Sequence, residues 1–145
     1  MRKPLALAAA LAATLLSVGI SGTANAAETV PGCPSAKQIG STGAITFQGK
    51  QIGSVKQFAG CGKNYPYLWV WDSYYSSHRN VSVSNWIAEF SGGEEIPHGG
   101  GEATGKQELW GKGAATLDKC TKAVATIRTG SGVTDYVWGA TDKRC

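Results

Sequence analysis

The sequence predicts an all-β domain: a small antiparallel β-sandwich or barrel of about seven or eight strands, stapled by two disulfides. Three observations carry that expectation. Short runs rich in β-branched and aromatic residues recur from Ala44 to Trp138. Glycine, 20 of the 145 residues, falls repeatedly between those runs, where it marks turns. Four cysteines follow an export-like N-terminal segment, and an even count in a short exported chain reads as a disulfide frame.

The N-terminal segment is expected to leave the protein. Met1-Arg2-Lys3 is a basic start, Leu5 to Ile20 is nearly all apolar, and Ala24-Asn25-Ala26 offers small residues where a signal peptidase reads them. That is the pattern of a secretion signal cleaved after Ala26. The apolar run is shorter than the ~20 residues a membrane span needs. No membrane span is therefore expected in the mature chain, and the expected location is extracellular. Residues 27–43 read as a polar, proline-bearing lead-in, and 44–145 as one β domain.

The elements follow in order. Ala44–Gln48 and Gln51–Phe58 are strand candidates around a Gly49-Lys50 turn. Tyr65–Asp72 (Tyr-Pro-Tyr-Leu-Trp-Val-Trp-Asp) is the strongest strand, dense in aromatic and β-branched residues. Ser73–Asn80 is a polar connection holding Tyr74 and Tyr75. Val81–Phe90 resumes as a strand whose apolar positions change parity, from Val81 and Val83 to Trp86, Ala88 and Phe90. A bulge near Ser84-Asn85 would reconcile them. Ser91–Gly105 holds six glycines in 15 residues and reads as a long surface loop. Gln107–Trp110 and Ala114–Leu117 are short strand candidates, and Lys119–Arg128 and Val133–Trp138 form a hairpin around Thr129–Gly132.

Four cysteines, Cys33, Cys61, Cys120 and Cys145, allow three pairings. Cys33–Cys61 with Cys120–Cys145 is preferred, because each bridge then closes a local loop around a predicted hairpin. Loops of that size stabilise by roughly 3–4 kcal/mol each in the chain-entropy account. No two cysteines have the close spacing of a zinc knuckle or ribbon, so no metal and no cofactor is expected.

Charge narrows the partners. The whole chain carries +4, but Arg2 and Lys3 belong to the signal, leaving 12 basic against 10 acidic residues. The basic residues are interleaved with acids, as at Glu108 and Lys112 or Asp142 and Lys143. A nucleic-acid binder would carry a positive stripe instead, so no nucleic-acid partner is expected.

The inventory for catalysis is thin. Gly-x-Ser-x-Gly is absent, and His98-Gly99-Gly100-Gly101 without a nucleophile elbow does not make an esterase. Glu94, Glu95, Glu102 and Glu108 surround the glycine-rich segment. Glycoside hydrolysis needs two carboxyls at a fixed separation, and a flexible loop is a poor mount for them. Metal binding by Glu94, His98 and Glu102 matches no known ligand spacing. Asn80-Val81-Ser82 has the form of a glycosylation acceptor, without consequence in a chain of bacterial style.

One feature rises above background. Side chains alternate faces along a strand, so Tyr65, Tyr67, Trp69 and Trp71 share one face, with Leu68 and Val70 on the other. The aliphatic face is a natural core. The aromatic face is either a second packed layer or, with Tyr74 and Tyr75, a platform for sugar rings or a protein. Tyr and Trp give large contact area at low entropy cost. The expected function is a secreted, non-catalytic, monomeric binding module for polysaccharide or cell wall, using Tyr65, Tyr67, Trp69, Trp71, Tyr74 and Tyr75. The alternative is a secreted inhibitor or protein-partner binder presenting the Ser91–Gly105 loop. A small hydrolase built on Glu102 and His98 comes third.

Overall fold

The computed structural model describes residues 28–145. The predicted secretion signal lies outside the described residues. Eight strands and a one-turn helix follow in order: β1 Lys37–Phe47, β2 Lys50–Gly60, β3 Lys63–Val70, α1 Asp72–Tyr75, β4 Ser82–Ser91, β5 Glu94–Thr104, β6 Glu108–Trp110, β7 Thr121–Arg128 and β8 Tyr136–Ala140. They form two four-stranded sheets of order β1-β2-β3-β6 and β5-β4-β7-β8, with every pair antiparallel. The two disulfides are Cys33–Cys61 and Cys120–Cys145. The fold class and the preferred pairing both hold.

The main core lies between the sheets. Ile45, Val55, Leu68 and Val70 from the first sheet meet Val83, Ile87, Ala123, Ala125 and Ile127 from the second. Buried polar side chains tie the layers together. Gln57 Nε2 donates to Thr121 Oγ1 at 2.7 Å, and Asn85 Nδ2 donates to the Leu109 carbonyl at 3.0 Å. A smaller second core sits on the outside of the first sheet, where Val30, Cys33 and Ala36 cover Phe58 and Tyr67.

The sandwich is closed along both edges, and glycine is the reason. Beyond β6, Lys112 exchanges both backbone hydrogen bonds with Gly100 of β5, at 2.8 and 2.9 Å. A Cβ on Gly99 would sit 2.3 Å from the Lys112 carbonyl oxygen. At the opposite edge β1 abuts β8. There a Cβ on Gly43 would lie 2.1 Å from the Ala140 carbonyl oxygen. Asp142 just past β8 accepts from both the backbone N–H and the hydroxyl of Ser41. Those hydrogen bonds, the backbone one first, hold the Asp142 carboxyl below its ordinary 3.8.

Several expectations are corrected. Ser91–Gly105 is not a loop: β5 pairs with β4 from Ser91↔Glu94 to Ser82↔Thr104. Gly92 and Gly93, at φ 60° and 87°, make the two-residue turn that suits a tight hairpin. No bulge reverses β4. Its pairing with β7 runs unbroken from Val83↔Ile127 to Glu89↔Thr121. The register shift lies against β5, where Gly99 and Gly100 stand opposite Trp86. Trp86, Ala88 and Phe90 therefore point away from the core side that Val83, Asn85 and Ile87 take. β1 begins at Lys37, seven residues before the expected strand start at Ala44. Its early part is polar and broken by a register shift between Ile39 and Gly43. Ala114–Leu117 is not a strand; Ala114 makes one isolated bridge to Asn64. The polar connection after β3 opens with α1, and β8 starts three residues and ends two residues later than expected, at Tyr136 and Ala140.

Candidate ligand-binding face

The aromatic residues of β3 divide between a roofed face and a rim. Tyr67 is 2% exposed, with Trp110 at 4.4 Å and Phe58 at 6.1 Å between ring centroids. The roof is the 28–36 segment, held by the Cys33–Cys61 bridge and by Glu28, whose carboxylate meets Lys56 Nζ at 2.7 Å. Burial pushes the Tyr67 phenol far above its usual range, with the Glu108 and Glu28 carboxylates adding to the effect. Tyr65 and Trp69 are half-buried against the same cluster. Trp71 stands at the rim, 37% exposed, with its indole N–H donating to Ser54 Oγ at 2.8 Å.

The two tyrosines of α1 do not join that surface. Tyr74 is buried in the main core, which raises its pKa, and stacks on His78 at 3.8 Å. Tyr75 is half-buried, and its hydroxyl donates to the Gly105 carbonyl at 2.9 Å. The six expected platform residues are thus split among a covered face, a rim and the core. They form no continuous open surface.

The outer face of the second sheet is different. Strand register sets Ser84, Thr126 and Trp138 side by side, with Glu102 next to Ser84 on the far strand. The neighbouring row pairs Ser82 with Thr104 and Arg128 with Tyr136. Trp138 is 66% and Tyr136 45% exposed. Trp86, half-buried, lies on the same face. No segment corresponding to the 28–36 roof crosses these strands among the described residues.

Between the aromatic edge and β5 runs a shallow trough of about 450 Å³, lined by Ser82, Ser84, Glu102, Thr104, Arg128 and Tyr136. Its polar groups are pre-arranged. Ser84 Oγ and Thr126 Oγ1 are 2.7 Å apart, and Ser82 Oγ and Thr104 Oγ1 are 3.1 Å apart. The Arg128 guanidinium lies 5.1 Å from the Tyr136 ring centroid, a cation–π distance that fixes its plane. The arrangement can stack a flat apolar ligand face on Trp138 while offering hydroxyl, carboxylate and guanidinium partners beside it.

Of the acidic residues around the glycine-rich segment, Glu94, Glu95 and Glu102 are spread along β5, and Glu108 opens β6. Glu94 pairs with Ser91 at one end and Glu102 with Ser84 near the other. Eight residues of strand separate them, about 25 Å, far beyond the spacing of a glycosidase pair. Glu95 meets Lys122 Nζ at 2.6 Å, and His98 Nε2 lies 2.8 Å from Glu89 Oε2. Among the described residues, no three His, Cys, Asp or Glu side chains gather as a metal-ligand set.

The residues that sequence reasoning missed are Trp86, Tyr136 and Trp138. Their signal was present. The parity change in Val81–Phe90 marks a strand with apolar residues on both faces, not a bulge. Set against known protein families, curated proteins and solved structures, the chain matches none.

Proposed function

We propose that the protein is an extracellular, non-catalytic binding module that holds a polysaccharide on the outer face of the β5-β4-β7-β8 sheet. The observation carrying this reading is the row Glu102, Ser84, Thr126 and Trp138, with Tyr136 exposed beside it. A sugar ring has an apolar C–H face and a hydroxyl-bearing edge. An exposed indole suits the first, and paired hydroxyls with a carboxylate and a guanidinium suit the second. A rigid sheet mounts these groups with little ordering cost on binding. Two disulfides, and no described helix long and apolar enough to cross a membrane, accord with an extracellular setting.

The test is depletion of the mature domain from solution by insoluble chitin, cellulose and bacterial cell wall. At least one should remove it, and Trp138→Ala should abolish that removal while Trp71→Ala leaves it intact. Unchanged binding by Trp138→Ala, or no binding either to these solids or to soluble neutral and acidic polysaccharides, rejects the proposal. A protein-partner reading has one observation of its own: Val133, in the β7–β8 connection, is 87% exposed. Inhibition of an extracellular hydrolase by the wild type but not by Val133→Ser would favour it.

A further inference from the structure

A second depression, of about 480 Å³, opens at the end of the trough. One wall is the chain from α1 into β4, and the other is the start of the β7–β8 connection. Ser82 and Arg128 line both depressions, so the two adjoin. The charge of this end is one-sided. Its lining includes Arg79, Arg128, His78 and Asn80 but no acidic residue.

Both arginines are oriented yet free of acidic partners. Arg79 lies 4.8 Å over the Tyr75 ring, and Arg128 lies over Tyr136. A guanidinium stacked on a ring keeps the N–H groups at its edge available. Among the described residues neither arginine forms an ion pair. Arg128 donates through Nη2 to the Gly132 carbonyl at 3.3 Å, while its Nε is buried with no hydrogen-bond partner. The carboxylate nearest in sequence, Asp135, is engaged with the Gly132 N–H at 2.6 Å. His78 is also fixed. Its Nδ1 is 2.8 Å from the Tyr74 carbonyl oxygen, which can only accept, so Nδ1 carries the proton. Glu102 is the one acid in the adjoining trough, where it can take sugar hydroxyls away from the cationic end.

We infer that this cationic end receives the anionic group of an acidic polysaccharide, a uronate carboxylate or a sulfate ester, held between Arg79 and Arg128. The inference rests on the proposed sheet-face reading and names the class of glycan that would lie there. Forked guanidinium donors match the paired oxygens of either group.

The test compares polymers that differ only in charge: polygalacturonate against its methyl ester, and dextran sulfate against dextran. Affinity electrophoresis and calorimetry read the binding. The wild type should bind at least one acidic polymer about tenfold or more tightly than its neutral counterpart. Arg79→Gln and Arg128→Gln should each weaken that binding by about tenfold, the order expected for a charge-assisted hydrogen bond. Arg79 is exposed, so its variant keeps the fold. Lys50→Gln, at the distant β1–β2 turn, makes the same charge change and should alter nothing. Equal binding of acidic and neutral polymers, with Trp138→Ala still harmful, overturns the inference and leaves the sheet face standing. So does a loss with Lys50→Gln as large as with Arg79→Gln, because the attraction is then general charge. Acidic binding that depends on both arginines but not on Trp138 or Tyr136 keeps the cationic end and rejects the sheet face. No binding to any polymer rejects both.

Discussion

The two sheets carry similar aromatic wealth on their outer faces and treat it in opposite ways. On the first sheet Phe58, Tyr67 and Trp110 are closed under the 28–36 segment. On the second, Tyr136 and Trp138 face solvent. Strand alternation places aromatics on an outer face in both cases. What separates core from platform is whether a further piece of chain crosses that face and is tied down. The Cys33–Cys61 bridge and the Glu28–Lys56 ion pair tie it down over the first sheet. The proposed glycan face rests on these open aromatics.

The strongest way to break this contrast is to untie the roof. Replacing Cys33 and Cys61 by serine should cost about 3–4 kcal/mol of stability and expose the first sheet's aromatics. Denaturant melting and binding of an apolar dye would read both effects. An unchanged midpoint and no dye binding would mean the roof holds without its staple.

A pair of truncations sharpens the contrast residue by residue. Tyr67→Ala should destabilise by about 3–4 kcal/mol, as for a large buried aromatic. Trp138→Ala should stay within roughly 0.5 kcal/mol, as for an exposed site, while losing ligand. Similar losses at the two positions would erase the distinction between the faces.

Alkali should act chiefly through the covered face. The Tyr67 phenol titrates above its ordinary value of 10.0 because of burial. The unfolded chain therefore releases that proton first. The contribution is complete below the ordinary tyrosine range and falls as pH rises beyond it. Tyr67→Phe should flatten the loss of stability above pH 10 relative to wild type; Tyr74, raised by burial as well, leaves a residual slope. Identical alkaline melting curves would remove Tyr67 as the cause.

The smallest expected effect is at the β1–β8 edge. Asp142 is held below its ordinary value chiefly by the Ser41 backbone N–H. Its contribution is present above the usual aspartate range and is lost as pH falls through the lowered value. Asp142→Asn should show a slightly shallower loss of stability below pH 4 than wild type, read as the midpoint of urea unfolding against pH.

Much of the fold was legible in the sequence because local rules agreed. β2, β3 and β7 are apolar and β-branched runs bounded by turn residues, and each disulfide joins the cysteines that flank one hairpin, β1–β2 or β7–β8. β5 was not legible, because its residues Glu94–Thr104 include Pro97 and three consecutive glycines. Those glycines serve tertiary closure, where β5 must approach both β4 and the chain beyond β6, and no local rule reports that. The Gly92-Gly93 turn was a readable hairpin signal hidden inside the same composition. For the candidate face, Trp86 and Trp138 could be assigned to strands but not to a side. Which side stays open depends on the path of the 28–36 segment, set by Val30, Cys33 and a bridge to Cys61 rather than by the strands themselves.

The glycine contacts at Gly43 and Gly99 have a consequence for life in a crowded medium. Unclaimed backbone along a strand margin is the usual template on which a second molecule adds itself. Here β1 abuts β8, and β5 is joined to the chain beyond β6. A side chain at either glycine would wedge those margins apart and give another molecule a place to start a fibre.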